Sequence, residues 1–264
     1  MFANLQHLLR YRSLIASLVA RELKARYRGS LLGFLWSFLN PLLLLLIYTF
    51  VFTVVMPGSR GLGLEPFAVF MFCGILPWTW FSSSLLESSN VLIAGGNLIK
   101  KVLFPAEVLP IVTVLAGLVH FCLGLPILAV FLLYYRIPVA PTDLVWLPVV
   151  IGAQCLMTVG LALFVSALTV HFRDVRDLLA NLLTFWFFAT PIVYPFWGAP
   201  DWVRRALSLN PMTHLILTYQ EALFRTGPSV EPTRVAAIVV GSAAVFLAGY
   251  FVFNRLRDTF AEEV

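Results

Sequence analysis

Aromatic and amide side chains with little charge around them are the residues of this sequence best suited to chemistry, and that chemistry is non-covalent. Trp36, Asn40 and Tyr48 lie at spacings of four and eight residues, which places them on one side of a helix. Two aromatic clusters follow: PWTWF at 77–81, with Trp78 and Trp80, and FWFFATPIVYPFW at 185–197, with Phe185, Trp186 and Phe188. Flat rings with few charges suit the apolar faces of sugars and a lipid tail, although most such rings pack cores or interfacial belts.

Basic side chains are concentrated in two segments that we expect beside the membrane. In residues 1–30 the apolar positions share one helical face, and a basic cluster that includes Arg21, Lys24 and Arg28 lies opposite. Residues 90–104 combine a short amphipathic run, a Gly-Gly break and the polar side chains Asn97, Lys100 and Lys101. The pattern predicts an interfacial helix and a short cytosolic helix that face lipid phosphates or a protein partner. A simple lipid anchor and a positively charged loop without a partner remain alternatives.

Motifs for covalent chemistry are missing from the sequence. The segment GGNLIKK does not match the phosphate-binding pattern G-x-x-x-x-G-K-[ST], and H-E-x-x-H, G-x-S-x-G and C-x-x-C do not occur. We therefore expect no enzyme activity, and no metal or cofactor bound by this chain. The apolar windows also lack Asp, Glu, Lys and Arg, whereas ion-coupled carriers place such residues near the bilayer midplane. The sequence predicts part of a transporter whose energy comes from another polypeptide.

The composition indicates an all-α integral membrane protein. The chain has 264 residues, of which 60% are hydrophobic and 12% are charged, too little polar surface for a water-soluble globule. We predict a single transmembrane domain over 1–264, in contact with membrane lipid and with no nucleic-acid partner. Its six transmembrane helices are expected at 31–56, 67–86, 108–134, 144–170, 178–196 and 235–254. Lys and Arg near the span ends place both termini in the cytosol.

Proline recurs between the fifth and sixth predicted spans, which prohibits one continuous helix there. Two short helices within 201–224 are expected instead, the first opening at Asp201 and the second after Asn210-Pro211. The uncharged run 206–220 is too short and too polar to span a bilayer, so it suits a segment that enters the outer leaflet and returns. The pair would cap the outer mouth of the protein, either as a gate or as a static lid.

Five fragments together resemble a known family: LVARELKARYRGSLLGFLWSFLNPLLLLLIY, GILPWTWF, HFRDVRDLL, FFATPIVYP and LNPMTHLI. In this order they are similar to the membrane subunits of polysaccharide ABC exporters, the permeases for O-antigen, capsule and teichoic acid chains. The resemblance implies a homodimer of six-span subunits in the bacterial inner membrane, with two copies of a separate ATPase subunit that binds ATP and Mg.

The resemblance also implies residue roles. A channel between the first and fifth spans of two subunits would be lined by Trp36, Asn40, Tyr48, Trp78, Trp80, Phe185, Trp186 and Phe188. Contact with the ATPase would involve the interface helix 1–30 and the coupling helix 90–104, through Arg21, Lys24, Arg28, Asn97, Lys100 and Lys101. The outer helices would form a periplasmic gate with Trp197, Trp202, Pro211 and His214.

Within the family, the uncharged aromatic spans favour export of a lipid-linked polysaccharide of O-antigen type. Teichoic acid export is close behind, and capsule export is less favoured. Two other functions stay open: an integral membrane lipid-sugar transferase, and an exporter of drugs or small lipids built on a similar six-span frame.

Overall fold

The computed structural model describes residues 11–26, 28–55, 66–96, 105–172, 174–224, 229–257 and 260. Every secondary-structure element in these ranges is helical, which confirms the all-α prediction. The α-helices are α1 (Arg12–Arg26), α2 (Trp36–Phe50), α3 (Phe67–Ala94), α4 (Val108–Tyr134), α5 (Pro141–Leu144), α6 (Leu147–His171), α7 (Val175–Phe188), α8 (Asp201–Leu207), α9 (Pro211–Phe224) and α10 (Pro232–Leu256). A 3₁₀ turn at Gly33–Leu35 precedes α2, a π-helical turn at Val51–Val55 follows it, and another 3₁₀ turn lies at Phe196–Gly198.

Five helical segments are long and apolar enough to cross a membrane: Gly33–Val55, Phe67–Ala94, Val108–Tyr134, Pro141–His171 and Pro232–Leu256. They correspond to the first, second, third, fourth and sixth predicted spans, and the chain is a multi-pass membrane protein. The second helix runs on to Ala94 instead of ending at 86, because Glu87 ends the apolar run but is itself a good helix former, and its carboxylate pairs with Arg26.

The fifth predicted span is shorter than expected. Helix α7 has 14 residues and ends at Phe188, so a continuous helix to 196 is wrong. The chain turns at Thr190-Pro191, where proline has no amide hydrogen and disfavours a helical conformation for the residue before it. Thr190 and Ile192 are fully buried in this turn. The irregular backbone is therefore covered by protein.

The N-terminal helix α1 lies against the start of α4. Leu18 packs on Val108 and Val112, while most of the remaining helix surface is exposed. Gly29 has a φ of +79°, a conformation that glycine adopts without strain, and the helix has already ended at Arg26. The described part of the predicted helix 1–30 thus ends at Arg26, three residues before Gly29, and residues 1–10 lie outside the described ranges.

The start of the predicted coupling helix belongs to α3. Residues 90–94 continue the second span without a break, so a separate helix beginning at 90 is wrong for this part. The helix ends at Gly95, where an added Cβ would lie 2.6 Å from the Leu109 side chain. Residues 97–104, which include Asn97, Lys100 and Lys101, lie outside the described residues.

Helix α3 forms the centre of the fold. Its side chains Phe70, Phe72 and Phe81 are almost completely buried in the main hydrophobic core, against α4, α6 and α9. Gln154 of α6 donates a hydrogen bond to the carbonyl oxygen of Pro77 in α3, at 2.8 Å. This hydrogen bond ties α6 to α3 inside the core, where a polar side chain without a partner would be costly.

Candidate functional site

A cavity of about 580 Å³ lies between the end of α1 and helices α2, α3 and α4. Its wall is mixed, with aromatic rings and neutral polar groups beside one cation. The side chains that line it include Arg26, Ser30, Trp36, Ser37, Asn40, Phe72, Thr79, Trp80, Ser83, His120 and Phe121. Aromatic faces among hydroxyl and amide groups are suited to a ligand with both apolar and hydroxyl-bearing surfaces.

Three of the predicted channel residues meet in this cavity. Trp36 is half-buried at the start of α2, and Asn40 is exposed one turn later. Trp80 is only 3% exposed, its indole N–H donates to the Val114 carbonyl at 3.1 Å, and its ring lies 5.2 Å from that of Phe121. Trp80 is therefore a fixed wall of the cavity, while Trp36 and Asn40 offer freer surfaces.

The other predicted channel residues lie elsewhere. Tyr48 packs against the main hydrophobic core. Trp78 and Trp186 belong to a buried aromatic cluster that joins α3 to α7, in which the Trp186 ring lies 6.4 Å from Trp78 and 5.3 Å from Phe81. Within this chain the cluster packs α3 against α7.

Phe185 and Phe188 lie on the outer surface of α7. They are 71% and 62% exposed, and Phe185 continues an exposed apolar stripe formed by Leu178 and Leu182. These positions recur at spacings of three and four residues, so they share one face of the helix. Residues predicted to line one channel are thus distributed over a cavity, a buried cluster and an exposed apolar face.

An ion pair at the mouth of the cavity was not found by sequence reasoning. Arg26 at the end of α1 donates to Glu87 of α3, with Nη2 and Oε2 2.5 Å apart. Arg26 precedes the first apolar run and Glu87 follows the second. Both residues were therefore expected at the same membrane surface, and this could have suggested that they pair. His120 of α4 also lines the cavity, and its position in an apolar helix gave no such signal.

The described basic residues assigned to partner contact lie on the exposed side of the N-terminal region. Arg21 and Lys24 are exposed on α1, and Arg28 is exposed just after its end. Leu18, one turn before Arg21, is buried against α4. The arrangement leaves these cations accessible to a partner or to lipid phosphate.

The predicted outer-gate residues surround the junction of α8 and α9. Trp197 and Trp202 are 50% and 72% exposed. Helix α9 begins at Pro211, as the Asn-Pro pair predicted, and α8 begins at Asp201. The His214 ring nitrogen Nε2 lies 2.7 Å from the carbonyl oxygen of Ser208, to which it donates.

Asn210 ties this junction to the end of α7 with four hydrogen bonds. Its Oδ1 accepts from the Trp186 indole at 2.8 Å and from the Met212 amide at 3.0 Å. Its Nδ2 donates to the Ala189 carbonyl and to the Thr190 hydroxyl, both at 3.0 Å. The amide caps α9 and at the same time fixes the turn after α7. Sequence reasoning placed Asn210 only at the opening of this helix, before Pro211.

A second ion pair lies where α9 meets α10. Arg234 Nη1 donates to both carboxylate oxygens of Glu221, each at 2.7 Å, and Glu221 is only 3% exposed. Burial raises the pKa of Glu221 above the ordinary range for a glutamate, while the hydrogen bonds and charge of Arg234 act in the opposite direction. The pair joins the outer helices to the last span.

Comparison with known proteins gives a consistent result over most of the chain. A family model described as ABC-2 type transporter matches residues 13–224. The chain is 42% identical to an O-antigen export system permease protein, RfbA, of Myxococcus xanthus over 100% of both chains. It is 31% identical to an RfbA of Klebsiella pneumoniae over 94% of each chain. The polysialic acid transport protein KpsM of Escherichia coli is 24% identical over 79% of this chain and 80% of its own. The chain belongs to the ABC-2 type transporter family, and its resemblance to the membrane subunits of polysaccharide ABC exporters is confirmed.

Proposed function

We propose that this chain is the membrane subunit of an ATP-driven exporter that moves lipid-linked polysaccharide of O-antigen type across the bacterial inner membrane. The observation that carries the proposal is the 42% identity over the full length of both chains with an O-antigen export permease. Capsule export is the second candidate, supported by the weaker and shorter match to a polysialic acid transport protein.

The proposed topology has six membrane crossings with both termini in the cytosol. Five are the long apolar helices, and the sixth combines α7 with the turn and 3₁₀ segment up to Gly198. Helix α7 alone extends about 21 Å, less than the roughly 30 Å hydrocarbon core. Backbone outside a helix is tolerated at this depth when protein covers it, and Thr190 and Ile192 are fully buried.

The proposed assembly contains two copies of this chain and two copies of a separate ATPase subunit that binds ATP and Mg. Only 6% of the first span is buried within the chain, against 78% of the second, and α7 carries the exposed stripe at Leu178, Leu182 and Phe185. A second copy packed on these faces would enclose a passage beside them. The exposed Arg21, Lys24 and Arg28, with Asn97, Lys100 and Lys101, would contact the ATPase.

The cavity behind Arg26 and Glu87 suits the entrance of such a passage. Trp36, Asn40 and Trp80 combine aromatic faces with an amide, the chemistry expected around a sugar chain on a lipid. Trp197, Trp202, Pro211 and His214 would control the opposite end. The remaining channel residues, Tyr48, Trp78, Phe185, Trp186 and Phe188, would reach a passage only in the assembled dimer.

Deletion of the gene in its own bacterium tests the proposal. We expect polysaccharide to be synthesised on its lipid carrier but to stay on the cytosolic side, which is measured by antibody labelling of intact and opened spheroplasts. Loss of synthesis itself would instead indicate a transferase. Unchanged O-antigen display with loss of capsule would favour the second candidate. ATP hydrolysis by the purified chain alone would contradict a passive membrane subunit.

A further inference from the structure

A second cavity, of about 380 Å³, lies between α9, α10 and Met157 of α6, on the side that the proposed topology places outside. The buried side chains Met157, Leu215 and Ile238 give it an apolar interior. It is open to the surface at Glu231 and Gly241, which are exposed. An apolar pocket that opens at a membrane surface beside charged groups fits an amphipathic molecule.

The charges at the open end favour a cationic group. Arg234 is engaged with both oxygens of Glu221, and its Nη2 lies 3.7 Å from Glu231 Oε2. The buried Glu221 lies behind the rim and Glu231 lies on it, so in the described residues two carboxylates are close to one guanidinium. The Glu231 side chain is 60% exposed, so its carboxylate is accessible to a ligand. A positive group near Glu231 would balance the excess negative charge.

The wall of the cavity also contains an acceptor without a donor. His214 Nε2 donates to the Ser208 carbonyl at 2.7 Å, so its Nδ1 carries the lone pair of the neutral ring. Nδ1 is buried and has no hydrogen-bond partner among the described atoms. A buried acceptor of this kind is stabilised by a ligand that brings an N–H or O–H group.

We propose that this cavity binds a zwitterionic phospholipid with a primary ammonium headgroup. The ammonium group lies between Glu231 and His214, the phosphate lies near Nη2 of Arg234, and an acyl chain occupies the apolar interior. A choline headgroup has no N–H donor for His214, and a glycerol headgroup adds negative charge to a rim that already has an excess of it. The chemistry thus distinguishes phosphatidylethanolamine from both alternatives, and it does not depend on the exported substrate.

Native mass spectrometry of the purified full-length chain tests this site directly. The protein is titrated with equal amounts of phosphatidylethanolamine, phosphatidylcholine and phosphatidylglycerol of matched acyl chains, and the occupancy of the tightest lipid is compared. We expect phosphatidylethanolamine to bind preferentially. Glu231→Gln should reduce its preference over phosphatidylglycerol by about two- to fivefold, the range for a partly exposed ion pair.

A cavity-filling variant separates this site from general lipid contact. Gly241 lines the cavity and a Cβ added there meets nothing within 4 Å, so Gly241→Leu places an apolar side chain at the cavity and should abolish the selective binding. Gly152→Leu is the matched control, because a Cβ there also meets nothing within 4 Å and Gly152 lies in another groove. Equal binding of the three lipids, preference for phosphatidylglycerol, or the same lipid binding by both glycine variants would overturn the proposal.

Discussion

Replacement of Gly249 by alanine should destabilise the packing of the last span on α6. The two helices approach so closely that a Cβ at Gly249 would lie 1.9 Å from the carbonyl oxygen of Gly160. The same approach appears from the other side, where a Cβ at Gly160 would lie 2.5 Å from Cα of Phe246. Both obstacles are backbone atoms, so a side-chain rotation does not relieve them. Small residues permit this distance between membrane helices.

The magnitude follows from two opposing terms. An ordinary contact between a methyl carbon and a carbonyl oxygen needs about 3.3 Å, so α6 and α10 must separate by more than 1 Å, and such overpacking costs about 1–3 kcal/mol. Alanine also recovers about 0.5–1 kcal/mol of helix propensity relative to glycine. We expect a net loss of roughly 1–2 kcal/mol for Gly249→Ala.

Gly241→Ala on the same helix is the control, because its Cβ meets nothing within 4 Å and only the propensity term applies. The melting temperature of the purified protein in one detergent, followed by size-exclusion chromatography after heating, should fall for Gly249→Ala and stay level or rise for Gly241→Ala. Equal shifts for the two variants would refute the close approach of α6 and α10.

Three further predictions concern the sites. Asn210→Ala removes four hydrogen bonds and the cap of α9, so the free energy of unfolding should fall by about 2–3 kcal/mol. Asn210→Asp keeps the acceptor oxygen and should lower the melting temperature by less in the same assay. A double-mutant cycle with Arg26→Gln and Glu87→Gln should give a coupling energy of at most about 1 kcal/mol, because both side chains are partly exposed. A larger coupling energy would contradict this exposure and indicate a pair buried away from water. Under the proposed function, Lys100→Glu with Lys101→Glu should leave ATP hydrolysis by the assembled exporter running while export falls, and unchanged export would remove these lysines from the coupling role.

The long apolar spans were predictable because length and absence of charge are properties of one segment. The third predicted span, 108–134, has the bounds of the helix Val108–Tyr134. The second was predicted to end at 86 because Glu87 ends the apolar run, but a charge does not end a helix, and α3 continues to Ala94. Glu87 then pairs with Arg26, far away in sequence, and pairing between distant segments has no local pattern that single-sequence reasoning could use.

The candidate site was predictable only in part for the same reason. The spacing of Trp36, Asn40 and Tyr48 predicted one shared helix face, but only Trp36 and Asn40 line the same cavity, while Tyr48 packs against the main core. Aromatic composition could not distinguish Trp186 from Phe185, the residue before it. Trp186 is fixed by Asn210 and packs against Phe81, whereas Phe185 is 71% exposed. Helical neighbours one residue apart point in different directions, so which ring is buried depends on the helix packed beside it.

Asn210 links the two ends of the outer region mechanically. Its amide holds the turn after α7 and the first turn of α9, and Gln220, near the other end of α9, donates to the Pro191 carbonyl at 3.1 Å. Two attachments on one helix, about 15 Å apart at 1.5 Å per residue, prevent α9 from pivoting independently of the turn. Movement of the end of α7 must therefore carry α9 with it, and through the Glu221–Arg234 pair it also reaches α10. An outer gate built from these helices would follow the fifth crossing instead of opening as a free flap.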